Sequence, residues 1–440
     1  MSISSSRLSS SSPFKRTCFA ALLLSGLGFV HAPAHAQTLA RPGWAGSGLT
    51  VTTWWRHAVV YALDPRGFRD SNGDGVGDLR GVIERLDYLR SLGVDAVLLE
   101  NVQPVGTQAV DPAIGTMADF TTLLDQASRR GVRVVIEIQP GKPGEDLTGA
   151  ARFWLSQGVA GIALAPGGDA DSRLTEIKQI RAAESSYIGE RIVIGEQDVA
   201  SSAKGKDAAQ LVLDPLLPAD SPVNAAAIRA ALARRDADVN GPVRLRAIWA
   251  GDGAHDDKAA KALATVLFSG EGGVLVRSGE ELGKVAKAGA PIDWGVEAPP
   301  PAKPVAGKAS AASAVAGDDV LAQEKDSNSV LNWFKLMSVL AHSNGTVRSG
   351  TDLLVDQDAV NALVWVRRPP VPSLQTPPVV TICNLSGEVL KMSLKDDMQK
   401  LRLKGSFLRK IQRTDDAMGA LNLGTISLPG YAVFIGELRY

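Results

Sequence analysis

The chain has 440 residues, 47 Lys and Arg against 47 Asp and Glu, and 45% hydrophobic residues. That length admits two or three domains, and the apolar content is enough for a large buried core. The neutral charge balance excludes a basic field that would draw nucleic acid or an anionic membrane to the protein.

In chain order, residues 1–36 stand apart. Lys15 and Arg16 precede the apolar run "CFAALLLSGLGFV", and "APAHA" then offers small residues at Ala34 and Ala36. A positive start, a short apolar run and an A-x-A site describe a cleaved secretory signal. The run of 13 residues is too short to span a bilayer. The expectation is an exported protein, periplasmic or extracellular, with no membrane span after Gln37. Cys18 leaves with the signal and Cys383 stays alone, so no intramolecular disulfide is expected. His57, His255 and His342 are far apart in sequence, which argues against a His-rich zinc site.

Residues 37–53 read as a loose lead-in. From there short β-branched runs alternate with helical patterns. The strand candidates are "AVVYALDP", "DAVLLE", "VRVVIEIQ", "GIALAPG", "RIVIGEQ", "AQLVLD", "VRLRAIW" and "GGVLVRSG". Between them lie helical runs such as "LRGVIERLDYLRSLG", with Val82, Ile83, Leu86, Leu89 and Leu92 at 3–4 spacing. Eight such units over 54–349 predict an α/β fold, a (β/α)8 TIM barrel; a doubly wound open sheet is the alternative. Residues 297–318, rich in Pro and Ala, read as a mobile loop. From residue 350 to 440 the pattern changes to short alternating strands: "ALVWVRR", "PVVTICNLS", "EVLKMSL", "TISLPG" and "YAVFIGEL". They predict a small antiparallel β-sandwich.

Two stretches carry chemistry. In "DSNGDGVGD", Asp70, Asn72 and Asp74 alternate, Gly73 and Gly75 permit tight turns, and Asp78 closes the set. Oxygen donors at every second position, with the Val76 carbonyl, can wrap a hard cation, Ca²⁺ or Mg²⁺. An EF-hand needs an acidic residue at loop position twelve, where Gly81 stands, so that motif is rejected. A metal-free turn rich in Asp and Asn is the competing reading. The second stretch is "GVAGIALAPGG", the fourth strand candidate, whose end carries Ala163 and Ala165.

Residues 54–100, "WWRHAVVYALDPRGFRDSNGDGVGDLRGVIERLDYLRSLGVDAVLLE", closely resemble the opening of the alpha-amylase family, glycoside hydrolase family thirteen, in its oligo-glucosidase branch. The similarity continues in "DPAIGTMADFTTLLDQASRRGVRVVIEI", "AKALATVLFSGEGGVLVRSGEELG" and "LPGYAVFIGEL". The resemblance implies a barrel with a C-terminal sandwich, a structural Ca²⁺ held by Asp70, Asn72, Asp74, Val76 and Asp78, and retaining hydrolysis or transfer of α-glucosyl groups. That chemistry needs a carboxylate nucleophile and a carboxylic acid on the leaving oxygen.

This sequence departs from the pattern where the chemistry belongs. Glu137 matches the acidic residue of the third strand, but Gly141 and Lys142 replace an Asn-His pair. The fourth strand should read Gly-Phe-Arg-x-Asp; here Ala163 stands for the arginine and Ala165 for the nucleophile. Glu196 matches the acid/base. After the seventh strand, Asp256 with His255 is one match for the third carboxylate, and Asp252 is a rival. The sugar-gripping Tyr-Asp pair after the second strand has no counterpart, and the domain inserted after the third strand shrinks to "GKPGEDLTG". Glu100, Glu137, Asp169 and Asp214 are carboxylates that could replace the lost group.

The expectation is an exported, catalytically inactive member that binds an α-glucan, an oligosaccharide or a protein partner. The alternative is an active α-glucosidase or transglycosidase with a rearranged site that uses Glu196 as general acid. Trp54, Trp55, Trp154, Trp249 and Trp294 are read as core rather than as sugar-stacking faces.

Overall fold

The computed structural model describes residues 53–196, 208–217, 223–233, 243–249, 256–284, 291–295, 319–355, 359–371 and 373–440. The expected signal segment, the lead-in up to residue 52 and the 297–318 loop lie outside these. Eight strands form a closed parallel barrel: β1 (Val59–Leu63), β2 (Ala96–Leu99), β3 (Arg133–Ile138), β4 (Gly161–Leu164), β5 (Ile192–Glu196), β6 (Leu211–Leu217), β7 (Val243–Trp249) and β8 (Gly273–Arg277). β1 pairs with both β2 and β8, Val60 lying opposite Ala96 on one side and Leu275 on the other. That closure rules out the open sheet.

Alternate side chains point to opposite faces of a strand. One set, including Val60, Ala62, Leu98, Val135, Ala163 and Ile194, fills the lumen. The other, including Tyr61, Val97, Ile136, Ile162 and Val193, packs outward into the main core. The β-branched runs are buried on both faces, as a parallel barrel requires.

The run "LRGVIERLDYLRSLG" spaces its apolar residues as one helix, but the structure breaks it into Leu79–Glu84 and Leu86–Ser91. Arg85, at φ −104° and ψ 12°, leaves the helix there, and its guanidinium stacks 4.4 Å from the Trp294 ring. Close by, Glu281 is fully buried. Its carboxylate accepts hydrogen bonds from the Tyr61 hydroxyl at 2.7 Å, the Tyr88 hydroxyl at 2.9 Å and the Gly279 N–H at 2.8 Å. Burial raises its pKa, and the donors oppose that shift. This hub ties β1 to the segment after β8, at the closing point of the barrel.

The C-terminal strands are β9 (Thr351–Val355), β10 (Ala362–Arg368), β11 (Val379–Asn384), β12 (Leu390–Met392), β13 (Phe407–Arg413), β14 (Leu421–Asn422), β15 (Ile426–Leu428) and β16 (Val433–Arg439). A six-stranded sheet runs β14-β13-β16-β11-β10-β9, and β12 pairs with β15. On β10, Val364 and Val366 enter a core inside this domain, while Leu363 and Trp365 join the barrel's core. Cys383 is a free thiol, fully buried on the barrel-facing side. No helix among the described residues is long and apolar enough to cross a membrane.

Candidate functional site at the barrel mouth

The lumen alternation continues past the strand ends and sets the mouth. One pleat beyond Ala62, Leu98, Val135, Ala163, Ile194 and Leu275 come Asp64, Glu100, Glu137, Ala165, Glu196 and Arg277. Leu98 lies opposite Val135, so Glu100 and Glu137 end neighbouring strands in register. Asp64 is the most heavily bonded. Its carboxylate takes the Arg66 N–H at 2.9 Å, the Arg66 guanidinium at 3.3 Å and the Asn101 amide at 3.0 Å. Glu100 faces the Arg277 guanidinium at 3.6 Å.

Burial, and next the charge of Glu100, push Glu137 up to about 8. It therefore holds a proton at neutral pH. Glu100 is raised by its own burial, with Arg277 working against the shift. One side of the mouth thus gathers three carboxyl groups from β1, β2 and β3 with a guanidinium from β8.

The other side has a different origin. β4 ends in Ala163 and Ala165, both buried. The space beside them takes a side chain from the helix Ala170–Glu184. Arg173, 3% exposed, donates from Nη2 to the Ala165 carbonyl and reaches the Leu164 carbonyl at 3.5 Å. Its Nη1 contacts Glu176 at 3.3 Å, and its Nε lies 3.7 Å from the Glu196 carboxylate. Glu196 also accepts the Gly167 N–H at 3.2 Å.

The loop after β3 is fastened to this same helix. The Gly144 N–H donates to Glu176 at 2.8 Å and the Leu147 N–H to Gln179 at 3.0 Å. Arg173 escaped the sequence reading because it follows Ala165 by eight residues. A signal did exist: Arg173, Ile177 and Ile180 share the buried face of the helix, an unusual place for a lone guanidinium.

Other expected residues have structural posts. Asp256 caps the helix Asp257–Ser269, accepting the Ala259 N–H at 2.8 Å, and Asp169 caps Ala170–Glu184 in the same way. Asp214 is fully buried and faces Arg244 at 3.3 Å. It alternates with Leu211 and Leu213, which face the lumen, and so points away from the mouth. Asp252 and His255 lie outside the described residues, as does the Trp249 side chain. Trp54 and Trp55 pack at the opposite end of the lumen, before β1. Trp154 and Trp294 are core residues, their indole N–H groups donating to Gln103 and to the Phe68 carbonyl.

In the 70–78 loop, Asp70 accepts the N–H groups of Asn72 at 3.0 Å, Gly73 at 2.6 Å and Gly75 at 2.7 Å. Asn72 accepts from Asp74, and Asp74 from Val76, both at 2.8 Å. Asp78 caps the next helix through the Gly81 N–H at 2.7 Å and takes the Ser71 hydroxyl at 2.8 Å. Gly73 and Gly75 sit at φ 81° and 88°, where only glycine is unstrained. The donor set is all oxygen, as a hard cation requires. The described residues include no group of three or more His, Cys, Asp or Glu side chains gathered tightly enough to hold a metal. In the structure these oxygens accept the loop's own N–H groups, and a cation would draw on the same oxygens together with Asn72 and the Val76 carbonyl.

Residues 62–141 match the family of the alpha-amylase catalytic domain. An oligo-1,6-glucosidase from Parageobacillus thermoglucosidasius is 45% identical over 95 residues, 19% of this chain and 17% of that protein. A trehalose-6-phosphate hydrolase from Escherichia coli (strain K12) is 43% identical over 95 residues, again 19% and 17%. The aligned segment thus spans less than a fifth of these relatives' length. The trehalulose synthase of Pseudomonas mesoacidophila MX-45 shares the fold, with a TM-score of 0.69 over 90% of this chain and 100% of its own, at 15% identity.

Proposed function

The chain is an alpha-amylase-family protein of the oligo-glucosidase type, and from that premise we propose that it is a non-hydrolysing member that binds an α-linked oligosaccharide at the barrel mouth after export to the periplasm or beyond. The observation that carries this reading is the end of β4, where Ala165, at the position the resemblance assigns to the nucleophile, is buried with the Arg173 guanidinium against its carbonyl. Without a nucleophile there is no glycosyl-enzyme. Losing one member of a catalytic unit costs about 10⁴–10⁶ in rate, or roughly 5–8 kcal/mol of barrier. Glu196 alone does not replace that.

What remains suits binding. Asp64, Glu100, Glu137 and Glu196 offer acceptors to sugar hydroxyls, and a protonated Glu137 also offers a donor. Arg277, partly exposed, supplies further N–H donors at the same rim. The test is a panel of α-glucosides and sucrose, with wild-type protein beside Glu196→Gln and with Ca²⁺ present. Equal background rates, together with calorimetric binding of an oligosaccharide, are the expected result. Turnover that vanishes in Glu196→Gln would overturn it.

A second reading rests on Glu137, since a carboxylic acid that keeps its proton near pH 7 is what a general acid needs. In that case hydrolysis would depend on Glu137 as well as Glu196, and Glu137→Gln would abolish it. The 70–78 loop belongs to the same proposal as a structural Ca²⁺ site built from Asp70, Asn72, Asp74, Asp78 and the Val76 carbonyl. Added Ca²⁺ should raise the melting temperature, and Asp74→Ala should remove that gain.

A further inference from the structure

Within the mouth, one carboxyl differs from the rest. Asp64 is bonded by the Arg66 backbone and guanidinium and by Asn101. Glu196 takes the Gly167 N–H, and Glu100 faces Arg277 at 3.6 Å. Glu137 is half-buried and has no hydrogen-bond or ion-pair partner among the described residues.

Its strand neighbours explain this. Leu99 pairs with Ile136, so the next residues, Glu100 and Glu137, leave β2 and β3 side by side. Adjacent strands lie about 4.8 Å apart, and Glu100 therefore sets a like charge one strand away. On its other flank Glu137 pairs with Ala163 of β4, whose methyl group offers neither donor nor charge.

The charged groups that face Glu137 are Glu100 on β2, Asp64 on β1, Arg277 on β8 and Arg173 on the helix Ala170–Glu184. Both guanidinium groups are engaged elsewhere. Arg277 lies against Glu100, and Arg173 donates to the Ala165 carbonyl and pairs with Glu176 and Glu196. A carboxylate beside a like charge, with no donor of its own, favours taking up a proton. Burial acts in the same direction, and the group is pushed up to about 8. A protonated carboxyl offers an O–H donor, whereas a carboxylate only accepts. Glu100, with Arg277 beside it, is the acceptor of the pair.

We infer that Glu137 makes ligand binding at the mouth proton-coupled: its carboxyl donates the O–H to a ligand oxygen while Glu100 accepts from a neighbouring ligand hydroxyl, and loss of that proton releases the ligand. Resting on the oligosaccharide reading above, this coupling also fixes the ligand group at Glu137 as a neutral, hydroxylated one, since an amine would bind the ionised pair instead.

The test is calorimetric titration of the purified protein with maltotriose and with isomaltotriose from pH 6 to pH 9.5. Affinity should fall as pH rises, approaching about tenfold per pH unit above the folded pKa of Glu137. At pH 9, two buffers of different ionisation enthalpy should show the complex taking up close to one proton per ligand. Glu137→Gln, which carries an amide donor at every pH, should change its affinity by less than about twofold over the range. Glu100→Gln, which removes the like charge, should move the fall to lower pH. Should either variant fail to fold, the proton count on the wild type decides alone. Binding that is level with pH and takes up no proton would overturn the inference and leave the oligosaccharide reading standing. Affinity that rises with pH would overturn it too, since the ligand would then displace the proton as a cation does. Absence of binding by both sugars at every pH would overturn the reading and the inference with it.

Discussion

Strands β1 to β3 and their loops hold side chains bonded to particular backbone groups, whereas β4 ends in two alanines and a guanidinium supplied by a helix. The family match covers the first region, residues 62–141, and stops in the loop after β3. The fold match runs on to cover 90% of the chain at 15% identity. The first region resists change because its contacts are specific. Gly81 has no room for a Cβ, which would meet the Arg69 carbonyl at 1.9 Å, and Asp70 satisfies three N–H groups. β4 needs only apolar residues of suitable volume, and cores tolerate such exchange. Catalysis is a demand on identity at a few strand ends; folding is a demand on pattern along the whole strand.

That contrast can be broken most forcefully at Arg173. Arg173→Ala leaves Glu176 buried without its cation and should cost about 3–5 kcal/mol in denaturant unfolding. Adding Glu176→Gln should recover much of that loss. If Arg173→Ala were neutral, the guanidinium would not be replacing anything at the end of β4. Next, Gly81→Ala should cost about 3 kcal/mol through overpacking against Arg69. A mild effect there would mean the first region is less specific than its contacts imply.

Glu137 sharpens the comparison through pH. Its folded pKa of about 8 lies above the ordinary value of 4.5, so the native state binds the extra proton. Its contribution lowers stability as pH rises from about 4.5 to about 8, and is flat above. Glu137→Gln should therefore be near neutral at pH 4 and stabilise by about 4 kcal/mol at pH 8. A variant equally stable at both pH values would contradict this. The smallest effect belongs to Asp256. As a helix cap its replacement by Ala should cost about 1 kcal/mol and leave oligosaccharide binding unchanged. A loss of binding would return Asp256 to the site.

The barrel was legible because eight short β-branched runs, apolar on both faces, alternate with apolar patterns of helical spacing. The sheet was legible in part. β13, "FLRKIQR", and β14 were not picked out, since an edge pair that faces solvent has little apolar alternation to show. The helix break at Arg85 was hidden because the apolar spacing runs straight through it, and the contact its guanidinium makes there is with Trp294, more than 200 residues away. At the mouth, Glu100 and Glu137 could be placed near strand ends from sequence. Their adjacency depends on strand register, which no local pattern reports. Asp169, Asp214 and Asp256 drew notice as carboxylates, and their roles emerged only once their partners were seen.

Cys383 gives the seam between barrel and C-terminal sheet an internal clock. Its thiol is buried on the barrel-facing side of β11, and burial raises its pKa far above that of a free cysteine. The other cysteine, Cys18, falls within the first 36 residues. Alkylation at Cys383 must therefore wait for the C-terminal sheet to part from the barrel. Its rate, followed by mass spectrometry over hours, counts those openings one molecule at a time without any label being added by design.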